Sequence, residues 1–433
     1  MQAEAGDATV RKVLRRLLPV LMLLLVVNLV DRTNISFAAL QMNADLGFTR
    51  SVYGIGAGIF FVGYFLFEVP SNLIMVRVGA RPWLARIMIS WGAVVIAMAW
   101  IEGARSFFIL RSLLGIAEAG LVPGVLLYLA RWIPGGRLGL AYSLFMSTTA
   151  IANVVSGPIA GALLELNGLF GLRGWQLMFI TEGLPTIALG CAIARFLPES
   201  PAEARWLTPS ERSWLVDTIR RENETKSLQG ITGFWAGFSD RRVLIATVVA
   251  FLFISCNFGT VFWLPQIIRS WVELTPIEIG FLTGIPYLLG AVATVLWGRH
   301  SDGTLERRWH LISGALLASL GYALAALSPS PVGSFAALCL ATVGIWSMFG
   351  VFWGYVGNLL GGAAAPGGLA FINSFSTLGG LLGPMAMGFV SDRTHGFAAS
   401  LAILALFALL TAAAALLIDD SKVLKPARAV GTT

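Results

Sequence analysis

Apolar residues in this chain fall into runs longer than the interior of a soluble domain requires. A helix that crosses a bilayer needs about 20 predominantly apolar residues. Twelve such runs occur, near positions 17–40, 53–76, 83–101, 107–130, 139–163, 175–197, 243–268, 278–298, 311–328, 332–356, 368–390 and 397–418. The connections are short except for a polar, charged stretch at 198–242. The pattern predicts an all-α membrane protein with twelve transmembrane helices.

The long connection carries a helix start signal of its own. Thr208 offers a capping hydroxyl, Pro209 suits the first helical position, and Glu211 completes a capping box. Trp214, Leu215 and Ile219 supply a narrow apolar face, so a short amphipathic helix against the cytoplasmic side is expected.

The runs also repeat. Gly54-x-x-x-Gly58-Ile59 in span two returns as Gly280-x-x-x-Gly284-Ile285 in span eight, and Gly157-Pro158 in span five returns as Gly383-Pro384 in span eleven, both at an offset of 226 residues. Each half holds an even number of spans, so the halves are parallel repeats related by an axis along the membrane normal. Glycines four residues apart let helices approach closely. The expected organisation is a six-helix bundle over 1–197, a cytoplasmic linker over 198–242, a second, pseudo-symmetric six-helix bundle over 243–420, and a cytoplasmic tail over 421–433.

Composition agrees with the pattern. Hydrophobic residues make up 57 % of the 433-residue chain and charged residues only 12 %, about half the share of a soluble domain. Mean hydropathy is +0.78. Cys191, Cys256 and Cys339 lie inside apolar runs and read as packing residues. The histidines at 300, 310 and 395 are scattered, no cluster has metal-ligand spacing, and no Gly-x-x-x-x-Gly-Lys-Ser/Thr phosphate loop is present. No metal, no cofactor and no enzymatic activity are expected. The basic cluster before span one is not followed by a cleavage site, so that span is expected to stay attached as its own insertion signal.

The net charge of +7 could suggest nucleic acid, but its distribution points to lipid. With an even number of spans, both ends lie on one side. That side gathers Arg11, Lys12, Arg15, Arg16, Arg77, Arg81, Arg86, Arg131, Arg137, the basic residues of the long connection, Arg299, Arg307, Arg308, Lys422, Lys425 and Arg428. The opposite side holds Arg50, Arg105, Arg173, Arg269 and Arg393. Cytoplasmic loops attract Lys and Arg, so both termini are expected in the cytoplasm of a cell inner-membrane protein, with the cations serving topology and anionic headgroups.

Ionisable residues inside spans are the strongest functional pointers, because a charge at mid-bilayer costs at least ~2.5 kcal/mol. Span one carries Asp31 and Arg32, and span four carries Arg111 and Glu118. The latter pair is two turns apart, about 10.5 Å along one helix face. An arginine fork binds a carboxylate bidentately and keeps its charge, whereas a buried carboxyl group can load and release a proton near neutral pH. Arg32 and Arg111 are therefore expected to hold an anion, and Asp31 and Glu118 to carry protons, all facing a shared aqueous chamber at mid-depth. The alternative is an internal ion-pair network that pins helices together. Glu68, near Pro70, is expected to organise the neighbouring loop with Arg77 or Arg81, and Glu182 to be structural. Asn28, Asn34, Asn153, Asn257 and Asn373 also lie at depth.

These features resemble the major facilitator superfamily. Its loop two-three signature, Gly-x-x-x-Asp-Arg-x-Gly-Arg-Arg, is matched by Arg77-Val78-Gly79-Ala80-Arg81, with Val76 at the acidic position. Loop eight-nine has the acidic version, Gly298-Arg299-His300-Ser301-Asp302, followed by Glu306-Arg307-Arg308. Asp31-Arg32-Thr33-Asn34-Ile35, Gly63-Tyr64, Pro70-Ser71-Asn72-Leu73, Gly115-Ile116-Ala117-Glu118-Ala119-Gly120 and Leu197-Pro198-Glu199-Ser200-Pro201 further resemble the anion:cation symporter branch, most of all its bacterial tartrate- and phthalate-type members. The resemblance covers essentially the whole chain. It implies the major facilitator fold and proton-linked uptake of a small organic anion. It implies protonation sites at Asp31 and Glu118, and substrate or coupling contacts at Arg32, Tyr64, Arg111, Trp353 and Asn373. Asn257 stands in span seven where the glutamate type has Arg. Gating contacts fall to Arg77, Gly79, Arg81, Asp302, Arg307 and Arg308.

The reading is thus a monomeric secondary transporter whose partners are an organic anion, protons and the bilayer. The alternative on the same fold is an exporter or exchanger of another small solute.

Overall fold

A computed structural model describes residues 2–227, 240–359 and 365–418. The tail expected at 421–433 and the middle of the linker lie outside the described residues. Fifteen α-helices occur among the described residues: α1 Gln2–Asp45, α2 Arg50–Val78, α3 Ala80–Ala97, α4 Ala104–Glu118, α5 Leu121–Ala130, α6 Gly135–Glu165, α7 Gly174–Phe196, α8 Pro209–Ser227, α9 Arg241–Trp271, α10 Pro276–Thr304, α11 Arg308–Leu327, α12 Pro331–Leu359, α13 Ala365–Thr377, α14 Gly379–Thr394 and α15 Ala398–Ala415. Every expected span is present. Eleven helical stretches among the described residues are long and apolar enough to cross a membrane, and the twelfth, α13 with α14, is interrupted at Leu378.

Local sequence explains the starts and breaks. Thr49 caps α2 by accepting from Val52 N at 3.2 Å. Thr275 and Glu278 form a reciprocal capping box on α10, with Pro276 at its first position. Span four, expected as one helix, breaks at Ala119–Gly120 because Gly120 sits at φ +88°, a left-handed value that glycine adopts without a Cβ clash. In span eleven, α13 and α14 part at Leu378, with Pro384 lying inside α14.

The first helix is longer than its apolar run. It begins at Gln2 rather than near 17 because nothing between 2 and 16 breaks a helix and its polar face finds partners. Lys12 pairs with Glu211 at 2.8 Å, Asp7 pairs with Arg137 at 2.5 Å, and Gly6 lies flat against the Trp214 ring. The expected helix at Thr208 forms as α8, its capping box closed by Thr208 N to Glu211 Oε2 at 2.8 Å. Lys12 and the Thr208 amide hold the Glu211 carboxyl below its usual range.

The repeated glycines meet across the molecular centre. A Cβ on Gly54 would stand 2.6 Å from the Pro384 carbonyl oxygen, and one on Gly280 would stand 2.4 Å from the Gly157 carbonyl oxygen and 2.9 Å from Pro158 N. The offset of 226 exchanges these two contacts: Gly54 maps to Gly280, and Pro384 to Pro158. Lipid provides no hydrophobic drive between helices, so backbone approach through small residues is what joins the bundles. These contacts cluster at the end opposite the termini. Toward the termini the same helices become exposed, as at Leu73, Val76, Leu140, Leu144, Leu288 and Leu296. The molecule is two pseudo-symmetric six-helix bundles, joined by these glycine contacts at the end opposite the termini.

Candidate transport site

The charged residues of spans one and four come together with span two. Arg32 donates through Nε to Glu118 Oε1 at 2.9 Å, and its Nη2 contacts the same oxygen. Its guanidinium lies over Tyr64 at 5.2 Å and over Phe60 at 5.3 Å from the ring centroids. Arg32 keeps 14 % of its side chain exposed, whereas Glu118 has none. Gly63 and Gly115 make this possible: a Cβ on Gly115 would stand 2.0 Å from the Phe60 carbonyl oxygen. The break after Glu118 leaves this acid at the last residue of α4, beside the turn where span four changes direction.

Arg111 lies against the same aromatic group, 5.1 Å from the Phe60 centroid and 6.0 Å from that of Phe262. It donates to the carbonyl oxygens of Gly56 at 3.1 Å and Ala57 at 3.0 Å, while its Nη1 has no partner. Both Arg111 and Glu118 are fully buried. The expectation that they face open water together with Arg32 is therefore corrected: only Arg32 is reached by solvent. The cause is the glycine-mediated contact of spans two and four, which closes over Arg111.

Asp31 and Arg32 point apart, as neighbours on a helix must. Asp31 accepts from Thr186 Oγ1 at 2.9 Å, leaves Oδ1 without a partner, and has Glu182 and Trp91 alongside. Glu182 accepts from Asn34 Nδ2 at 2.8 Å. Two buried carboxyl groups thus share one pocket between spans one, three and six. The intramembrane position of Glu182 was visible in the sequence, but its proximity to Asp31 was not.

Glu68 is the clearest departure. It accepts from Asn373 Nδ2 at 2.9 Å and Ser374 Oγ at 3.2 Å, across the bundle interface, and is only 4 % exposed. It does not organise the loop with Arg77 or Arg81, because about two and a half helical turns separate it from Arg77 and Arg81 lies beyond the turn at Gly79. Phe65 and Phe375 stack edge-on beside it at 5.3 Å. Asn373 therefore lies at the interface. Trp353 is half-buried on α12 and packs on Phe352 at 5.3 Å, and Asn257 is half-buried on α9. No hydrogen bond or ion pair links these two to the Arg32 cluster among the described residues.

The two short loops solve one problem differently. In the second half, Arg307 pairs with Asp302 and Ser301, Arg308 donates to the Leu416 carbonyl, and Leu305 turns the chain at φ +52°. In the first half, Val76 occupies the position equivalent to Asp302 and Gly79 turns the chain at φ +100°. Glu199, which sequence reasoning quoted but gave no role, supplies the missing carboxylate. It accepts from Ala80 N at 2.6 Å and Arg81 N at 2.8 Å, and Arg131 lies 3.4 Å away. Arg81 pairs with Glu203 at 3.5 Å, while Arg77 is exposed.

Comparison with known proteins agrees with the fold. A protein named "Putative tartrate transporter" from Agrobacterium vitis is 45 % identical over 411 residues, spanning 95 % of this chain and 91 % of that one. The quinolone resistance transporter of Acinetobacter baumannii is 37 % identical over 92 % of both chains. The crystal structure of a bacterial homologue of the human lysosomal transporter Spinster, inward-facing and occupied, superposes with a TM-score of 0.79 at 16 % identity, covering 94 % of this chain and 97 % of that one. The family model described as Major Facilitator Superfamily matches residues 21–384 and 272–432. This chain belongs to the Major Facilitator Superfamily of membrane transporters.

Proposed function

We propose that the chain is a proton-coupled symporter that takes up a small organic carboxylate across the cell inner membrane, with tartrate the first substrate to try. It acts as a monomer with both termini in the cytoplasm, and its units 1–197 and 243–420 rock about a site near mid-depth. On this reading the open end faces the cytoplasm.

One observation carries the proposal: Arg32, partly exposed, spends its guanidinium on Glu118. A substrate carboxylate and the Glu118 carboxylate compete for one fork. A proton on Glu118 weakens its hold and frees Arg32 for the anion, so proton and anion bind with positive coupling. Asp31 beside Glu182 is a second proton site. Tyr64 and Asn373 line the route from Arg32 to the bundle interface. Arg111, engaged with backbone carbonyls, supplies positive potential and an unpartnered Nη1.

The test is uptake of labelled L-tartrate into proteoliposomes. Wild-type uptake rises when the outside is acidified, and apparent affinity tightens as pH falls, by about tenfold for coupling of ordinary strength. Glu118→Gln abolishes that pH dependence, and Arg32→Gln abolishes binding. A Glu118→Gln variant with the wild-type pH profile removes the coupling role.

A second reading is favoured by the quinolone resistance relative: drug efflux through the same fold. Inhibition of transport by quinolones and not by dicarboxylates would select it.

A further inference from the structure

Resting on the symport reading, we propose that Glu68 is a tethered substrate surrogate, an intramolecular carboxylate that occupies the anion donors of span eleven when the site is empty and so lets the unloaded carrier close and return. A symporter that imports an anion must reorient empty after each delivery. At that moment the donors that held the substrate face each other across a gap, and leaving buried donors unpaired costs free energy.

The geometry supplies the remedy. Asn373 Nδ2 and Ser374 Oγ both point at the Glu68 carboxyl, at 2.9 and 3.2 Å, one oxygen each. Glu68 is buried, and its carboxyl group lies within the field of Arg32. Tyr64, one turn earlier on α2, lies between the two. The charged and titratable groups around Glu68 are thus Arg32 and Tyr64, with the neutral donors Asn373 and Ser374 facing it from the other bundle. A carboxylate held by neutral donors and a nearby guanidinium is the arrangement that a bound organic acid would require. The bridge also joins the bundles on the terminal side of the Arg32 cluster, reinforced by Phe65 on Phe375. An arriving substrate carboxylate displaces Glu68 from Asn373 and takes its place.

The inference separates two modes of transport. Net uptake needs the empty carrier to return, whereas exchange of labelled for unlabelled substrate does not. L-tartrate is the probe, in proteoliposomes, with Glu68→Gln as the isosteric variant and Glu68→Ala as a second that removes the surrogate altogether. Losing one hydrogen bond to a buried charge predicts a fall of about tenfold in gradient-driven net uptake for Glu68→Gln and a larger fall for Glu68→Ala, with tartrate–tartrate exchange within about twofold of wild type in both. Retained exchange also proves that the variant is folded. Parallel loss of net uptake and exchange overturns the inference and assigns Glu68 to binding or folding. Unchanged rates in both modes overturn it as well. A wild-type protein inactive in both modes with tartrate and other dicarboxylates defeats the symport reading itself, which is a different result from either.

Discussion

Arg111 shows how a single side chain can be correctly located and wrongly connected. Its charge is unpaired by any carboxylate among the described residues, yet it is not idle: two carbonyl oxygens at 3.0 and 3.1 Å, and aromatic faces of Phe60 and Phe262, hold the guanidinium in place. Arginine's planar fork reaches two carbonyls at once, which a lysine ammonium cannot reproduce. Arg111→Lys should therefore lose one charged hydrogen bond, about 1.5–3 kcal/mol. The expected outcome is a lower melting temperature in detergent with tartrate affinity changed only a few-fold. A large loss of affinity at unchanged stability would return Arg111 to direct contact with the substrate. Arg32, by contrast, has both solvent access and an anionic competitor, and these properties mark the substrate contact.

At the scale of elements, two of the positive-φ turns make opposite predictions. Gly120 at φ +88° forms the break in span four, and an added Cβ would lie 2.5 Å from Ser71 Oγ. Leu305 at φ +52° makes the corresponding kind of turn with a side chain that disfavours it. A left-handed L-residue costs about 1–2 kcal/mol, so Leu305→Gly should stabilise by about that amount and Gly120→Ala should destabilise by more, because its Cβ also collides with Ser71, read as shifts of thermal unfolding in opposite directions. Elements were the most legible part of this chain. All twelve runs became spans because long apolar stretches have few other fates, and the capping boxes at Thr208 and Thr275 mark helix starts through chemistry confined to four residues. Breaks were harder to see: Gly120 stands among many membrane glycines, and only the neighbouring Ser71 and the φ value single it out. Partnerships across spans were the least legible. Which acid takes Arg32, or that Glu68 meets Asn373 rather than Arg81, depends on helix rotation and bundle docking, and sequence spacing carries neither.

Across the whole molecule, the closed end is held by carboxylates that cap helices of the opposite bundle. Asp392 at the end of α14 accepts from Arg50 N at 2.9 Å and Ser51 N at 2.7 Å, at the start of α2. Glu165 at the end of α6 accepts from Ile277 N at 3.3 Å, at the start of α10. The offset of 226 carries Ser51 onto Ile277, so the two caps are the same device used twice. A carboxylate at a helix start meets free amides and the positive end of the helix dipole. Neither cap lies within its own bundle, so both bonds exist only while this end is shut. Asp392→Asn removes the charge but keeps the shape, and should shift the equilibrium toward the form open at this end. Each cap contributes about 0.3–1 kcal/mol, so a double variant with Glu165→Gln should change the open population several-fold, with near-additive single effects because the caps lie in separate contacts. The readout is labelling of a cysteine placed at Thr283, in a background with Cys191 and Cys339 replaced by Ala; Thr283 is buried against Gly157 across the interface and becomes accessible when the bundles part there. Faster labelling in the double variant, slowed again by saturating tartrate if substrate favours the closed form, supports the caps as a latch. Labelling at the wild-type rate would leave the glycine contacts at Gly54 and Gly280 as what holds this end.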